Sequence, residues 1–115
     1  MSFGTHITNW DGAIPSTSGS IQWVDLYSVV MLQMSSVSGT AQTGSSIDMI
    51  TSLPAGLRPS STRVISGTAI SGGNTESAYF TIGTDGSMSV TLASNDDFSS
   101  SGTNGFANQG LNYIK

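Results

Sequence analysis

The sequence predicts an all-β protein, and the first of three supporting observations is the origin of its polarity. Of the 115 residues, 22 are Ser, 13 are Thr and 14 are Gly, whereas Asp, Glu, Lys and Arg together make up only 9%. A typical domain has about 25% charged residues. Lys and Glu are the usual solvent-facing residues of helices, while Thr favours strands and Ser and Gly favour turns. The composition therefore favours strands whose outer faces carry hydroxyl groups.

The second observation is a series of short segments bounded by Gly, Ser, Asn or Pro. In segment 20–26, Ile21 and Trp23 fall on one face, and Gln22 and Val24 fall on the other. The apolar segment 28–37 predicts a central strand that is buried on both faces. The predicted strands are 5–10, 20–26, 28–37, 46–52, 62–70, 76–82, 87–93 and 105–114.

The third observation is a tight-turn motif, Asp85-Gly86, between two alternating runs. Gly supplies the positive φ that the tight turn of a hairpin needs. We therefore expect Phe80 and Ile82 to pair with Met88, Val90 and Leu92. No segment has a convincing helical pattern, and the Ser- and Gly-rich stretches 35–46 and 94–104 are predicted to be loops. Residues 1–115 are thus expected to form one antiparallel β-sandwich or jelly-roll-like domain.

Charge and residue usage exclude several classes of function. The net charge is −4, and the basic residues are Arg58, Arg63 and Lys115. Three scattered cations cannot displace the counterions of a nucleic acid, so no nucleic-acid partner is expected. There is no apolar run of about 20 residues, so no membrane insertion is expected. The absence of Cys excludes disulfides and thiolate zinc sites, and we expect no cofactor.

Catalysis and metal binding have little support in the sequence. His6 is the single His, and with 22 Ser residues a Ser-His-Asp arrangement carries almost no information. The protein is therefore not expected to be an enzyme. Adjacent Asp96 and Asp97 have the oxygen ligands that Ca²⁺ prefers, but they lack the alternating spacing of a calcium loop. A solvated turn is the favoured interpretation, and no metal site is predicted.

Saccharide binding needs an aromatic face for the sugar ring and planar polar groups for its hydroxyls. Core packing is the expected role of Trp23, Phe80 and Tyr113. Loop-edge residues are better placed to meet a ligand. The predicted saccharide-binding residues are Trp10, Asp11, Tyr79, Asn95, Asp96, Asp97, Phe98 and Asn104.

One segment, Leu53-Pro54-Ala55-Gly56-Leu57-Arg58-Pro59, adds a family resemblance. Followed by an apolar strand, a hairpin ending in Thr-Asp-Gly-Ser and a last strand ending in Tyr-Ile, it resembles the C-terminal head (tip) domains of bacteriophage tail-fibre or baseplate receptor-binding proteins. The resemblance covers roughly residues 47–114, and Leu57 stands where that pattern more often has an aromatic residue. Even without the family, Pro54, Gly56 and Pro59 predict a rigid connection between strands.

The resemblance implies a homotrimeric head domain that recognises a saccharide on the surface of the bacterial host. It also implies other virion tail or baseplate proteins as partners and an extracellular location on the virion. Two alternatives stay open. One is a structural virion protein, such as a capsid decoration or fibre-connector domain, without a ligand. The other is a non-catalytic carbohydrate-binding module from a secreted glycosidase.

Overall fold

The computed structural model describes residues 2–9, 18–40, 44–50 and 53–115. This part of the chain is all-β and contains no α-helix, as the composition predicts. A single 3₁₀ turn covers Ala55–Leu57. The ten strands in the described residues are β1 (Ser2–Asn9), β2 (Ser18–Asp25), β3 (Val29–Met34), β4 (Val37–Thr40), β5 (Ser46–Ile50), β6 (Arg63–Ser71), β7 (Asn74–Ile82), β8 (Met88–Leu92), β9 (Thr103–Phe106) and β10 (Gln109–Ile114).

The strands form two antiparallel sheets that pack together as a sandwich, which confirms the predicted fold class. The four-stranded sheet has the order β1-β2-β3-β10, and the six-stranded sheet has the order β4-β9-β6-β7-β8-β5. The core lies between them and is formed by alternate residues of both sheets. Phe80 and Phe106 meet edge to face there, with ring centroids 6.2 Å apart. Phe80 and Tyr113 are buried, and Trp23 packs against the core while half-buried, as expected.

The predicted hairpin and its register are confirmed. Ile82 pairs with Met88 and Phe80 pairs with Val90. The turn is closed by the amide of Gly83, which donates to the carbonyl of Ser87 over 2.9 Å. The observed register is the one that the alternation of apolar residues and the Asp-Gly turn predict.

Two predicted strands, 28–37 and 105–114, are each divided in the structure. The chain leaves the four-stranded sheet after β3 and enters the six-stranded sheet as β4, and it returns between β9 and β10. The two crossings meet, since the amide of Ser36 donates to Oδ1 of Asn108. The predicted loop 35–46 thus contains strand β4, and the predicted loop 94–104 ends inside β9.

The expectation that 28–37 is buried on both faces is wrong. In β3, Val30, Leu32 and Met34 are buried, while Met31 is 43% exposed and Gln33 is also exposed. In the described part of the chain, the second sheet covers only the inner face of β3. The strand is central in its sheet, but its outer face is open.

Candidate functional site

The outer face of the four-stranded sheet carries a cavity of about 710 Å³. Sites for small ligands have volumes of ~300–1,000 Å³, so this cavity is of the size that binds a ligand. Its walls come from β1, β2, β3 and β10. The lining residues are Gly4, Gln22, Trp23, Val24, Met31, Leu32, Gln33, Gly110 and Asn112.

A polar row crosses the floor of this cavity. Gln22 of β2 lies opposite Gln33 of β3, and Gln33 lies opposite Gly110 of β10. Both glutamine side chains are exposed. Directly opposed residues on one face of an antiparallel pair have Cβ atoms ~4.5–5.5 Å apart, so the two carboxamides form one patch of donors and acceptors.

An apolar row runs beside the polar one. Val24 lies opposite Met31, and Met31 lies opposite Asn112. Met31 is 43% exposed, which is unusual for a large apolar residue at the centre of a sheet. The thioether chain of Met is flexible and polarisable, so it adapts to an apolar ligand surface. The cavity therefore has one hydrogen-bonding side and one apolar side, with the amide of Asn112 at the end of the apolar row.

Gly110 leaves the β10 end of the polar row open. It is not among the described glycines with positive φ, so its backbone conformation does not require glycine. A Cβ at this position would lie 3.5 Å from Oε1 of Gln33, an ordinary contact. The glycine is thus not required by the fold. Because Gly110 has no side chain, the space beside Gln33 stays free.

On the β1 side, Gly4 and Trp23 are packed too closely for any side chain on the glycine. A Cβ at Gly4 would lie 2.6 Å from Cζ2 of Trp23 and 2.9 Å from its Cε2. The indole therefore lies across the backbone of Gly4, which holds β1 against β2. Trp23 belongs to the packing of the sheet, and its neighbours Gln22 and Val24 face the cavity.

A second, smaller cavity of about 220 Å³ adjoins the first. Gln22 and Gln33 line both cavities. The other described residues around the small cavity are Met34, Ser35 and Asn108. Because Oδ1 of Asn108 accepts the amide of Ser36, the small cavity lies where the chain crosses between the sheets.

No charged residue lines either cavity among the described residues. Elsewhere in the described residues, an ion pair joins Nζ of Lys115 to Oδ1 of Asp25 over 2.8 Å, and both side chains are partly buried. The hydrogen bond from Lys115 lowers the pKa of Asp25 below its ordinary value. Asp25 has the same parity in β2 as Ile21 and Trp23, so this ion pair lies on the other side of the sheet from the cavity.

The predicted saccharide-binding residues that the structure describes do not come together at this cavity. Trp10 and Asp11 lie outside the described residues. Tyr79 is 43% exposed on the outer face of the six-stranded sheet, between Ser66 and Thr91 on the neighbouring strands. That face points away from the four-stranded sheet. None of the six described residues of the predicted set lines either cavity.

Asn95, Asp96 and Asp97 form an exposed turn after β8. Asn95 has a φ of 62°, and its amide donates to the carbonyl of Leu92 over 2.9 Å. Asn tolerates this left-handed conformation better than most residues. The amide of Asp96 donates to Oγ of Ser94. The geometry is that of a solvated turn.

Phe98 and Asn104 require a correction, because neither side chain is available to a ligand. Phe98 is 1% exposed and belongs to the core, and Asn104 is 0% exposed. Oδ1 of Asn104 accepts the amide of Gly72, and its Nδ2 donates to the carbonyl of Ser99 over 2.8 Å. Asn104 therefore satisfies part-buried backbone groups of two loops. The pattern of aromatic and amide residues alone did not distinguish this structural role from sugar binding.

Within the described residues, no three His, Asp or Glu side chains cluster in a way that would hold a metal ion. No helix in that part of the chain is long and apolar enough to cross a bilayer. Compared with known proteins, the chain matches no family model and no curated protein significantly. The assignment of function therefore depends on the geometry and chemistry of the described surface.

Proposed function

We propose that this protein is a non-catalytic adhesion domain that binds an uncharged saccharide in the cavity of the four-stranded sheet. The observation that carries the proposal is the combination of three exposed carboxamides, Gln22, Gln33 and Asn112, with the apolar side chains of Val24 and Met31. A sugar ring has the same two kinds of surface, with hydroxyl groups at its edge and C–H groups on its faces.

Carboxamides suit neutral sugars because each carries two N–H donors and a carbonyl acceptor. A hydroxyl group donates once and accepts twice, so one carboxamide can serve it in either direction. Charged groups would carry a larger desolvation cost, which a neutral ligand would not offset. The described lining residues of the large cavity also have no carboxylate, imidazole or thiol for acid–base or nucleophilic chemistry. The site is thus suited to binding.

The resemblance to phage head domains extends this proposal to a biological setting. In it, the domain is the receptor-binding tip of a tail fibre or baseplate protein, located on the virion and attached to other tail or baseplate proteins. Its ligand is a saccharide of the bacterial surface, and three copies assemble as a homotrimer. Val64 and Ile114, which are exposed around a further cavity of about 360 Å³ between β6 and β10, are apolar surface that subunit contacts would cover.

The test is a screen of immobilised neutral and anionic bacterial wall polysaccharides, followed by calorimetry on those that bind. We expect binding to neutral polymers, and Gln33→Ala should weaken it by about tenfold, the effect of one or two lost hydrogen bonds. Gln33 is exposed, so the melting temperature should hardly change.

Tyr79→Ala is the matched control, because it removes an exposed side chain from the opposite face of the sandwich. It should leave the affinity unchanged. If Tyr79→Ala abolishes binding and Gln33→Ala does not, the saccharide site is on the six-stranded sheet. If no polysaccharide binds, the proposed function is wrong.

A further inference from the structure

Gln22 and Gln33 line both cavities of the four-stranded sheet, and the other described lining residues of the two cavities are different. The glutamine pair is therefore a shared wall, with the large cavity on one side and the small cavity on the other. Both side chains are exposed and directly opposed in the register of β2 and β3. A molecule lying across this pair would reach both cavities and use each carboxamide along its length.

The two cavities differ in chemistry. The large one offers the apolar side chains of Val24 and Met31, whereas the small one is bordered by Ser35 and Asn108, which are exposed and polar. At about 220 Å³, the small cavity is below the ~300–1,000 Å³ of self-sufficient ligand sites. It has the properties of a subsite that adds contacts to a ligand already held next to it.

The position of Asn108 is set by the fold. Its Oδ1 accepts the amide of Ser36, so its orientation is held by the crossing between the sheets. The group that Asn108 directs to other partners is then its Nδ2, a donor. A donor on a pre-organised side chain suits a sugar hydroxyl, since little conformational entropy is lost on binding.

We infer that the glutamine pair divides one extended site into two subsites, and that the ligand is a linear, uncharged oligosaccharide running across it. This inference rests on the proposed function and adds the length and placement of the ligand. One sugar unit packs on Met31 and Val24 in the large subsite. The next unit along the chain passes over Gln22 and Gln33 and meets Asn108 in the small subsite.

The experiment measures affinity against ligand length. A neutral wall polysaccharide that binds in the screen is partially hydrolysed and separated into fragments of one, two and four sugar units. Each fraction is titrated calorimetrically into the full chain. For the unmodified protein we expect the affinity to rise by about tenfold or more from one unit to four, since the small subsite adds one or two hydrogen bonds.

Two variants separate the subsites. Asn108→Asp keeps an oxygen for the amide of Ser36 but removes the Nδ2 donor, so it should abolish the gain with length and leave binding of the single unit unchanged. Gly110→Val should weaken all lengths equally, because it fills space beside Gln33 at an ordinary contact distance. If Asn108→Asp unfolds the protein, Ser35→Ala tests the same subsite from its other wall.

Equal affinity for all fragment lengths in the unmodified protein would overturn the two-subsite inference while leaving saccharide binding intact. So would an unchanged gain with length in both Asn108→Asp and Ser35→Ala. Failure of every polysaccharide to bind is a different result, which contradicts the proposed function itself. The two failures are therefore distinguishable.

Discussion

At the scale of single residues, Gly86 is a position where the described fold leaves no room for a side chain. Its φ is +85°, and its carbonyl accepts the amide of Leu53 over 2.8 Å. A Cβ on Gly86 would lie 2.7 Å from the amide nitrogen and 2.8 Å from the carbonyl oxygen of Leu53. Both are backbone atoms, so neither can rotate away. The backbones of the hairpin turn and of the segment that begins at Leu53 can therefore approach this closely only because residue 86 has no Cβ.

We predict that Gly86→Ala lowers the free energy of unfolding by about 2–4 kcal/mol, from left-handed strain plus the backbone collision. Gly73→Ala is the control, because Gly73 has a φ of +83° but open space around its Cβ position. It should cost about 1–2 kcal/mol, the strain alone. Urea unfolding of both variants measures the difference. Equal costs would mean that the Leu53 segment moves aside.

At the scale of elements, Gln109 joins the two sheets. Its Oε1 accepts the amide of Thr68 in β6, and its Nε2 donates to the carbonyls of Thr68 and Ala107, over 2.8–2.9 Å. The side-chain amide thus pairs with Thr68 as a strand residue would, although Gln109 itself belongs to β10 of the other sheet. A Cβ at position 67 would collide with the side chain of Gln109 and with the ring of Phe80, so glycine is the residue that fits there.

Replacing Gln109 with Ala should therefore cost about 1–3 kcal/mol, since it leaves the part-buried amide of Thr68 without its partner, while the carbonyl of Thr68 keeps the hydrogen bond from the amide of Ala107. Gln109→Glu is a sharper probe. At neutral pH its carboxylate faces two carbonyl oxygens and cannot donate, and at about pH 4 the protonated acid regains a donor. We expect Glu to recover stability relative to Ala on acidification, measured by urea unfolding at both pH values. No cost in either variant would mean that water replaces the bridge.

At the scale of the whole molecule, Tyr113 links global stability to alkaline pH. It is 5% exposed, and its hydroxyl donates to the carbonyl of Leu57 over 2.6 Å. Burial raises the pKa of the phenol well above its ordinary value, and the nearby charge of Asp25 raises it further. The folded protein therefore holds the proton more tightly than the unfolded chain does. The resulting stabilisation is complete below about pH 10, where an unfolded Tyr ionises, and is lost as the pH rises above that value.

We predict that the urea midpoint of unfolding falls as the pH rises above about 10. Tyr113→Phe should be less stable by about 1–2 kcal/mol at pH 8 and should lose the part of the alkaline decline that Tyr113 causes. Parallel pH profiles for the two proteins would contradict the assignment to Tyr113.

Local pattern predicted much of the secondary structure for a physical reason. Strand alternation and Asp-Gly turn chemistry act over two to five residues, so the register of Phe80 with Val90 is encoded where those residues stand. The faces of Gln22 and Trp23 in β2 follow from the same alternation. In the Leu53–Pro59 segment, which was predicted to be a rigid connection, Leu53 and Leu57 are buried in the core.

The candidate site was missed because it depends on which sheet each strand joins. Ser35-Ser36 and Ala107-Asn108 are weak breaks in sequence, yet there the chain crosses between the sheets. When residues 28–37 are taken as one continuous strand, their apolar pattern predicts burial on both faces. The exposure of Met31 and Gln33 was therefore not expected. The prediction that Phe98 and Asn104 bind a ligand failed for a related reason. Aromatic and amide side chains occur both in cores and on surfaces, so residue type alone did not determine their burial.

By itself, the sequence determined the all-β class, the sandwich, the hairpin register and a surface rich in hydroxyls and poor in charge. These follow from composition and from interactions between near neighbours. Only the tertiary structure decided that Gln22, Gln33 and Asn112 share one open face, and that a second cavity adjoins the glutamine pair. The physical reason is that β10 lies more than 70 residues after β3 in the chain, so its place beside β3 in the sheet is set by packing of the whole core.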